Sequence, residues 1–321
     1  MRVLFMILPA FLTFVISFAD VKKREDIIPE ILLSLSGDYL KENGIYIEYT
    51  VDINSEDYAN YIHKLTGIPV KDLHYVNKTS KQDAIFYKNG MYVLMDRLTD
   101  VPTNWRINVF NGENYFSYCN ENKFGQITKT KPDLILPNYF DLLTKMPQSL
   151  NIPKYWDSYL DYLPSDPSKI LISSLPNDEI RIIFKPGPDK KNNDILFDFY
   201  LKKQSGIYLL QEICLYSCEK LPENLLVRTT LSDYKYMKEI QKYLPFEVKV
   251  EYYTLEGELL FDGKSFHLDK VLERVDKIHV KKISLPNLDS LKIEIPNDAI
   301  IHDFNIGKTI YLEKIFNNDR L

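Results

Sequence analysis

The chain has 321 residues, 45% of them hydrophobic and 26% charged, with 40 basic against 45 acidic residues and a net charge of −5. That length has room for one large or two ordinary domains, and that composition can bury a core. The acidic balance argues against a nucleic-acid binder, whose phosphate contacts need a basic surface; no basic run stands out beyond Lys22-Lys23-Arg24.

The N-terminus reads MRVLFMILPAFLTFVISFAD. Arg2 supplies a positive start, Val3 to Phe18 is almost wholly apolar, and Ser17 and Ala19 put small residues where signal peptidase needs them. The pattern predicts a signal peptide over 1–19, cut between Ala19 and Asp20. An uncleaved anchor fits less well. The apolar run is short for a span, and the basic residues after it would sit on the translocated side. No Cys follows the small residues, so no lipid anchor is expected. The mature chain, 20–321, is expected to be exported to the periplasm or beyond, soluble and monomeric, with at most peripheral membrane contact.

Residues 26–43, DIIPEILLSLSGDYLKEN, place Ile27, Ile31, Leu35 and Tyr39 on one helical face, with Asp26 to cap the start and Gly44 to close the end. IYIEYTVDI then alternates: Ile45, Ile47, Tyr49, Val51 and Ile53 share one face, which predicts a strand with one buried side. SEDYANYIHKLTG, 55–67, predicts a short helix with a Ser cap and acidic residues in its first turn.

Two hairpins follow. In AIFYKNGMYVLMD, a turn at Asn89-Gly90 sets Tyr87 against Tyr92, Phe86 against Val93 and Ile85 against Leu94, with both faces apolar. In NWRINVFNGENYFSYC, a two-residue type I′ turn at Asn111-Gly112 sets Phe110 against Glu113, Ile107 against Phe116 and Trp105 against Tyr118. One face then carries Trp105, Ile107, Val109, Phe116 and Tyr118. The other carries Arg106, Asn108, Glu113, Tyr115 and Ser117. KFGQITK, 123–129, predicts the next strand.

Prolines crowd between Pro132 and Pro188, a density that no long helix or central strand survives. NYFDLLTKM and KYWDSYLDYL read as short helices within a covering segment of about 132–170, because Phe140, Leu143 and Trp156 are too apolar for a free linker. Strands resume at EIRIIFK, ILFDFYLK, IYLLQEICLY, LLVRTTLSDY, FEVKVEYYT and ELLFDGKSFHL, and end with LKIEI and KTIYLEKI. The expected class is mainly β, α+β, with about ten to twelve antiparallel strands and no βαβ alternation.

No catalytic motif carries weight. GELLFDGKSF is one residue too long for a phosphate loop and lies in a strand–turn–strand context. His63, His74, His267, His279 and His302 are scattered. Ser265 with His267 has no orienting third group, and His302-Asp303 reads as a strand-end pair. Cys119, Cys214 and Cys218 read as unpaired buried thiols; a bridge between the last two needs a turn at that point, and no metal site is expected. No cofactor is implied. The 23 Tyr and 17 Phe suit a sugar-stacking surface or, more simply, the faces of a sheet.

The helix at 26–43, IYIEYTVDI, the AIFYKNGMYVLMD hairpin, WRINVFNGENYFSY with its tryptophan and Asn-Gly turn, and the ending SLKIEIPNDAIIHDFNIGKTIYL together resemble the LolA/LolB-type lipoprotein carriers. The chain is longer than the compact members. The resemblance implies a large, curved, unclosed antiparallel β-barrel whose concave apolar face is covered by short helices. It implies a non-catalytic carrier of lipid or lipoprotein acyl chains. Candidate cavity residues are Trp105, Ile107, Val109, Phe116, Tyr118, Ile85, Phe86, Val93, Leu94, Ile47 and Tyr49. Candidate lid residues are Ile31, Leu35, Phe140, Leu143 and Trp156. Two alternatives stay open: an RseB-like envelope sensor with a protein partner, and a secreted carbohydrate-binding or carbohydrate-active protein.

Overall fold

The computed structural model describes residues 45–73, 77–86, 92–99, 101, 103–129, 169–185, 195–217, 222–239, 241–261, 263–285 and 295–311. The expected helix at 26–43, the cleavage site at Ala19-Asp20, most of the Pro-rich cover and all five lid residues lie outside them.

The first strand, β1 (Ile45–Asn54), buries every second residue from Ile45 to Ile53, as its alternation requires. The helix after it runs Glu56–Thr66 and ends on Gly67 at φ 78°. Its cap differs from expectation. Ser55 makes no capping hydrogen bond, and Asn54 Oδ1 instead accepts the Glu56 N–H at 2.8 Å.

Next come β2 (Asn77–Phe86), β3 (Tyr92–Leu98), β4 (Trp105–Phe110), β5 (Tyr115–Cys119) and β6 (Phe124–Thr128), each antiparallel to the one before it. Both hairpin registers differ from the sequence expectation. Ile85, not Phe86, stands opposite Val93, a slip of one residue. β3 is held from its other side by β4, where Val93 meets Val109 and Met95 meets Ile107, so packing on two sides overrides the turn preference. In the second hairpin Ile107 faces Tyr118 and Val109 faces Phe116, a slip of two. Gly112 has φ 96°, but Asn111 is not left-handed. Its Oδ1 instead accepts the N–H groups of Glu113 and Asn114 at 3.1 and 2.8 Å, which widens the loop to 111–114. A slip of two preserves the pleat, so Trp105, Ile107, Val109, Phe116 and Tyr118 still share a face.

The second half is a longer meander: β7 (Ile170–Leu175), β8 (Glu179–Phe184), β9 (Ile195–Gln204), β10 (Ile207–Ser217), β11 (Leu225–Met237) and β12 (Lys242–Tyr253). β13 (Gly257–Phe261) and β14 (Lys264–Leu268) form a separate two-stranded ribbon. β15 (Leu272–Ser284), which the sequence did not disclose, inserts between β12 and β1. β16 (Ile300–Asp303) then lies parallel to β6, and β17 (Lys308–Tyr311) pairs with β16. The expected strand at 291–295 falls outside the described residues except for Ile295, which is not in a strand.

Fifteen strands therefore make one unclosed sheet, in the order β17-β16-β6-β5-β4-β3-β2-β1-β15-β12-β11-β10-β9-β8-β7. The fold is mainly β, and β15 welds two meanders into one continuous sheet. Its inner face carries the main core, a single cluster running from Ile170, Phe184 and Phe199 through Ile213, Val227 and Val250 to Ile278, Ile47 and Leu94. Two inner positions of β15 are charged. Asp276, fully buried, is held by Arg274 through Nε–Oδ1 at 2.6 Å and Nη2–Oδ2 at 2.7 Å. Tyr252 Oη donates to the same carboxylate at 3.3 Å.

Candidate ligand-binding face

Counting cross-strand partners from β1 to β6 gives the side on which each residue stands. Ile47 is opposite Ala84, Ala84 opposite Leu94, and Leu94 opposite Asn108. At β4 the inner face passes from buried apolar residues to Asn108 and Arg106, with Phe110 stacked on Tyr115, ring centroids 4.4 Å apart, at one end. One residue along, Val93, Val109, Phe116 and Ile127 stand in a row on the outer face. The apolar side of the sheet changes over at β3, which carries Leu94 inward and Val93 and Met95 outward.

This divides the candidate cavity residues. Ile47, Tyr49 and Leu94 belong to the buried inner core. Ile107 and Tyr118 form a second cluster on the outer face with Ala299 and Ile301, and Val93, Trp105, Val109, Phe116, Ile127 and Ile295 pack around it. The two groups do not line one cavity, because opposite sides of a single sheet separate them. Ile85 and Phe86 lie in β2, and their side chains are outside the described residues.

The outer cluster has a floor and a rim. Ile107 is 1% exposed and Tyr118 2%. Trp105 lies against Tyr118, with ring centroids 5.3 Å apart. The Tyr118 hydroxyl is pushed above its usual range, first by burial and then by the Asp298 carboxylate. Residues after 295 close one end. Ile300 N donates to Lys123 O at 2.9 Å and Phe304 N to Ile127 O at 2.9 Å, which docks β16 on β6. Gly125 makes that approach possible: a Cβ there would stand 3.2 Å from Ile301 Cγ1 and 3.4 Å from Phe116 Cε2. The rim is half-buried Val93, Val109, Phe116 and Ile127, one from each of four adjacent strands, with Trp105 at one corner. Three inter-strand steps make this row roughly 14 Å long.

Past β3 the outer face turns polar. Trp105 is opposite Arg97, Arg97 opposite Lys81, Lys81 opposite Thr50, Thr50 opposite His279 and His279 opposite Glu247. Lys81 pairs with Glu48 at 3.0 Å. Tyr46 Oη donates to Asp83 at 2.9 Å, and burial followed by that hydrogen bond holds the phenol well above its usual range. Beyond them, the start of the helix Glu56–Thr66 overhangs a polar pocket of about 430 Å³, whose walls include Asp52, Tyr58, Glu273, Lys277 and His279. His279 lies between Glu247 at Nδ1 and Asp52, 3.6 Å from Nε2.

Cys119 and Cys214 are free thiols. Among the described residues no group of three His, Cys, Asp or Glu is placed to hold a metal, and no helix is long and apolar enough to cross a membrane. Sequence reading missed Met95, Ile127, Ile301, Gly125 and Arg97. Ile127 had a signal, as the apolar member of a predicted strand. Ile301 and Gly125 had none, because a parallel contact between distant segments brings them together.

No protein-family model matches the chain, and no curated protein sequence matches it. Among solved structures, a domain named for outer membrane lipoprotein sorting, from Vibrio parahaemolyticus, is similar at a TM-score of 0.39 and 8% identity, covering 78% of this chain and 90% of that one. A DUF1329 family protein from Desulfovibrio piger is similar at a TM-score of 0.41 and 11% identity, covering 81% of this chain and 99% of that one. Function has to be read from this chain's own residues.

Proposed function

We propose that the protein is an exported carrier or binding protein that holds the acyl chains of a lipid or of a lipoprotein anchor on the outer apolar strip, by burial and without catalysis. One observation carries this reading. Val93, Val109, Phe116 and Ile127 form an in-register, half-buried apolar row beside the fully buried Ile107 and Tyr118. A row that packing alone had claimed would be covered, as the inner core is. Each methylene laid against it contributes about 0.8 kcal/mol. Ten would contribute about 8 kcal/mol before the cost of ordering the chain, enough for useful reversible binding.

The test is native mass spectrometry of the protein purified from a periplasm, with organic extraction of whatever accompanies it. A stoichiometric acyl lipid is expected, and Phe116→Asp should lose it while keeping a near-normal melting temperature. Ile107 is unsuited to this test, because a charge at a fully buried position would unfold the sheet. A clean mass without ligand, together with no uptake of added fatty acid, would overturn the reading.

A second reading, a protein-binding envelope sensor, is favoured by β7. It ends the described sheet, and Leu171 on it is 52% exposed. An apolar edge strand can pair with an extended peptide. A partner captured through β7 and lost on Ser173→Pro, with lipid binding unchanged, would mark that role.

A further inference from the structure

On the inner face of the short strands, a row of polar side chains without Lys, Arg, Asp or Glu crosses four strands in register. Asn108 on β4 is opposite Ser117 on β5, Ser117 opposite Gln126 on β6, and Gln126 opposite His302 on β16. Three inter-strand steps make the row roughly 14 Å long. All four residues are half-buried. Among the described residues, the side chains of Asn108, Ser117 and Gln126 make no hydrogen bond. His302 engages Thr309 Oγ1 through Nδ1 at 3.2 Å, which leaves its Nε2 open. The amide and hydroxyl groups of the row thus keep their donors and acceptors for solvent or a ligand. Rings and apolar side chains stand about 7 Å to either side, two residues along each strand. On one side is the stacked pair Phe110 and Tyr115. On the other are the exposed Phe124 and Ile300, opposite each other. Phe304, also exposed, lies edge-on to the His302 ring with centroids 4.5 Å apart.

In a chain that is 26% charged, a solvated strand face ordinarily carries charge, as the outer face does at Lys81, His279 and Glu247. The charges beside this row on the inner face, Arg106 and Asp96, stand opposite each other, so no net charge calls for an ion. A nucleic acid would need a basic surface. An extended peptide would need an open strand edge, and β6 is paired on both sides, by β5 and β16. An acyl chain would cover the amides and leave them without partners. A sugar meets all of these conditions. Its hydroxyls both donate and accept, as the Asn and Gln amides do, and its C–H faces suit aromatic and apolar side chains. We propose that this face binds a neutral oligosaccharide, with hydroxyls on Asn108, Ser117, Gln126 and His302 and ring faces against Tyr115 and Phe124. The row is longer than one sugar ring, so it holds a chain of several units. The site lies on the opposite side of the sheet from the strip of Val93, Val109, Phe116 and Ile127 and does not depend on the carrier reading.

The experiment is isothermal titration calorimetry of the purified protein with maltotetraose, cellotetraose and N-acetylchitotetraose, and with the monosaccharides glucose and N-acetylglucosamine. At least one tetrasaccharide should bind, and its own monosaccharide should bind at least about 10-fold more weakly. Asn108→Ala and Gln126→Ala should each weaken that tetrasaccharide about 5-fold, the worth of one hydrogen bond. Gln126→Glu keeps the shape and removes the N–H donors, so it should weaken binding as well, and it carries the test if an alanine variant melts early. Phe116→Asp, on the other side of the sheet, should leave sugar binding unchanged, and so should added palmitate.

Absence of binding by all three tetrasaccharides would overturn the proposal and leave the carrier reading, which stands or falls on acyl uptake. Binding that survives Asn108→Ala and Gln126→Glu would place the sugar elsewhere and overturn it too. Tighter binding of tetragalacturonate than of any neutral tetrasaccharide would overturn the neutral ligand. Loss of palmitate binding in Gln126→Glu would give this face to an acyl chain, and a dimer that dissociates in Phe124→Ala would give it to a second copy of the chain. Either result removes the sugar site.

Discussion

Strands β4, β5 and β6 run 6, 5 and 5 residues and carry their main apolar cluster on the outer face. Strands β9, β10, β11, β12 and β15 run 10, 11, 13, 12 and 13 residues and carry theirs on the inner face. The difference in length decides the difference in burial. On a long strand a central side chain has neighbours before and behind it and on both flanking strands, so Phe197, Leu201, Ile213 and Val250 are 0% exposed. On the short strands only Ile107 and Tyr118, next to Ala299 and Ile301, reach that burial. Val109 and Phe116, beside that covered pair, stay half-buried. The long-strand end is a core, and the short-strand end is a surface with a fixed base. The latter offers its apolar area as one in-register row, whereas on the long strands the exposed Ile207 and Tyr236 stand near strand ends.

The largest expected effect tests that contrast directly. Phe199 is stacked among Phe184 and Phe197, with ring centroids 5.5 and 6.2 Å away. Phe199→Ala should cost about 3–5 kcal/mol in urea unfolding, because the cavity cannot collapse. Val109→Ala should cost less, about 1 kcal/mol, since Val109 is only half-buried. Equal costs would mean that the strip is as much core as the long-strand end. Next comes the buried pair. Asp276→Ala leaves the Arg274 guanidinium without its carboxylate inside the main core, and about 3 kcal/mol should be lost. Replacing both, Arg274→Met with Asp276→Leu, should recover most of it. If the single variant is as stable as the wild type, the long-strand end is not as dry as its burial implies.

The same pair shows why part of the fold was hidden. β1 is legible because its odd positions are all apolar. β15 is not, because LERVDKIHVKKIS places Arg274 and Asp276 at inward positions, where a pattern of apolar residues would be expected. Only the bidentate contact explains how charge can stand there. The facing of the hairpin 105–118 was readable despite a wrong register, because an error of two leaves the pleat unchanged. That Ile47 and Ile107 point to opposite sides was not readable. It depends on pairings through β2 and β3, one of which differed by a single residue. Arg97 reads in sequence as an ordinary strand charge. What distinguishes it is a buried Nε without a hydrogen bond, and a sequence does not show absences of that kind.

The smallest expected effect probes the remaining surfaces with the two described thiols. Cys119 is half-buried on β5, at the short-strand end. Cys214 is 2% exposed on the outer side of β10, in a small cluster with Leu196, Tyr216 and Leu225. Burial, reinforced by the Glu212 carboxylate, pushes the Cys214 thiol up to about 11. At pH 8 only about one molecule in a thousand then carries the thiolate, the form that reacts. Iodoacetamide at that pH should therefore label Cys119 well before Cys214, as read by peptide mass mapping. The linkage has a definite sign. An unfolded thiol ionises near pH 8.5, below the folded value, so the folded state holds the proton more tightly. The stability this contributes is fully present below about pH 8.5 and is lost as pH rises towards 11. Cys214→Ala should flatten the fall in urea midpoint over that window. Equal labelling of the two thiols at pH 8 would show that the outer side of the long strands is as open as the short-strand end. The strip of Val93, Val109, Phe116 and Ile127 would then no longer stand apart as the accessible apolar surface.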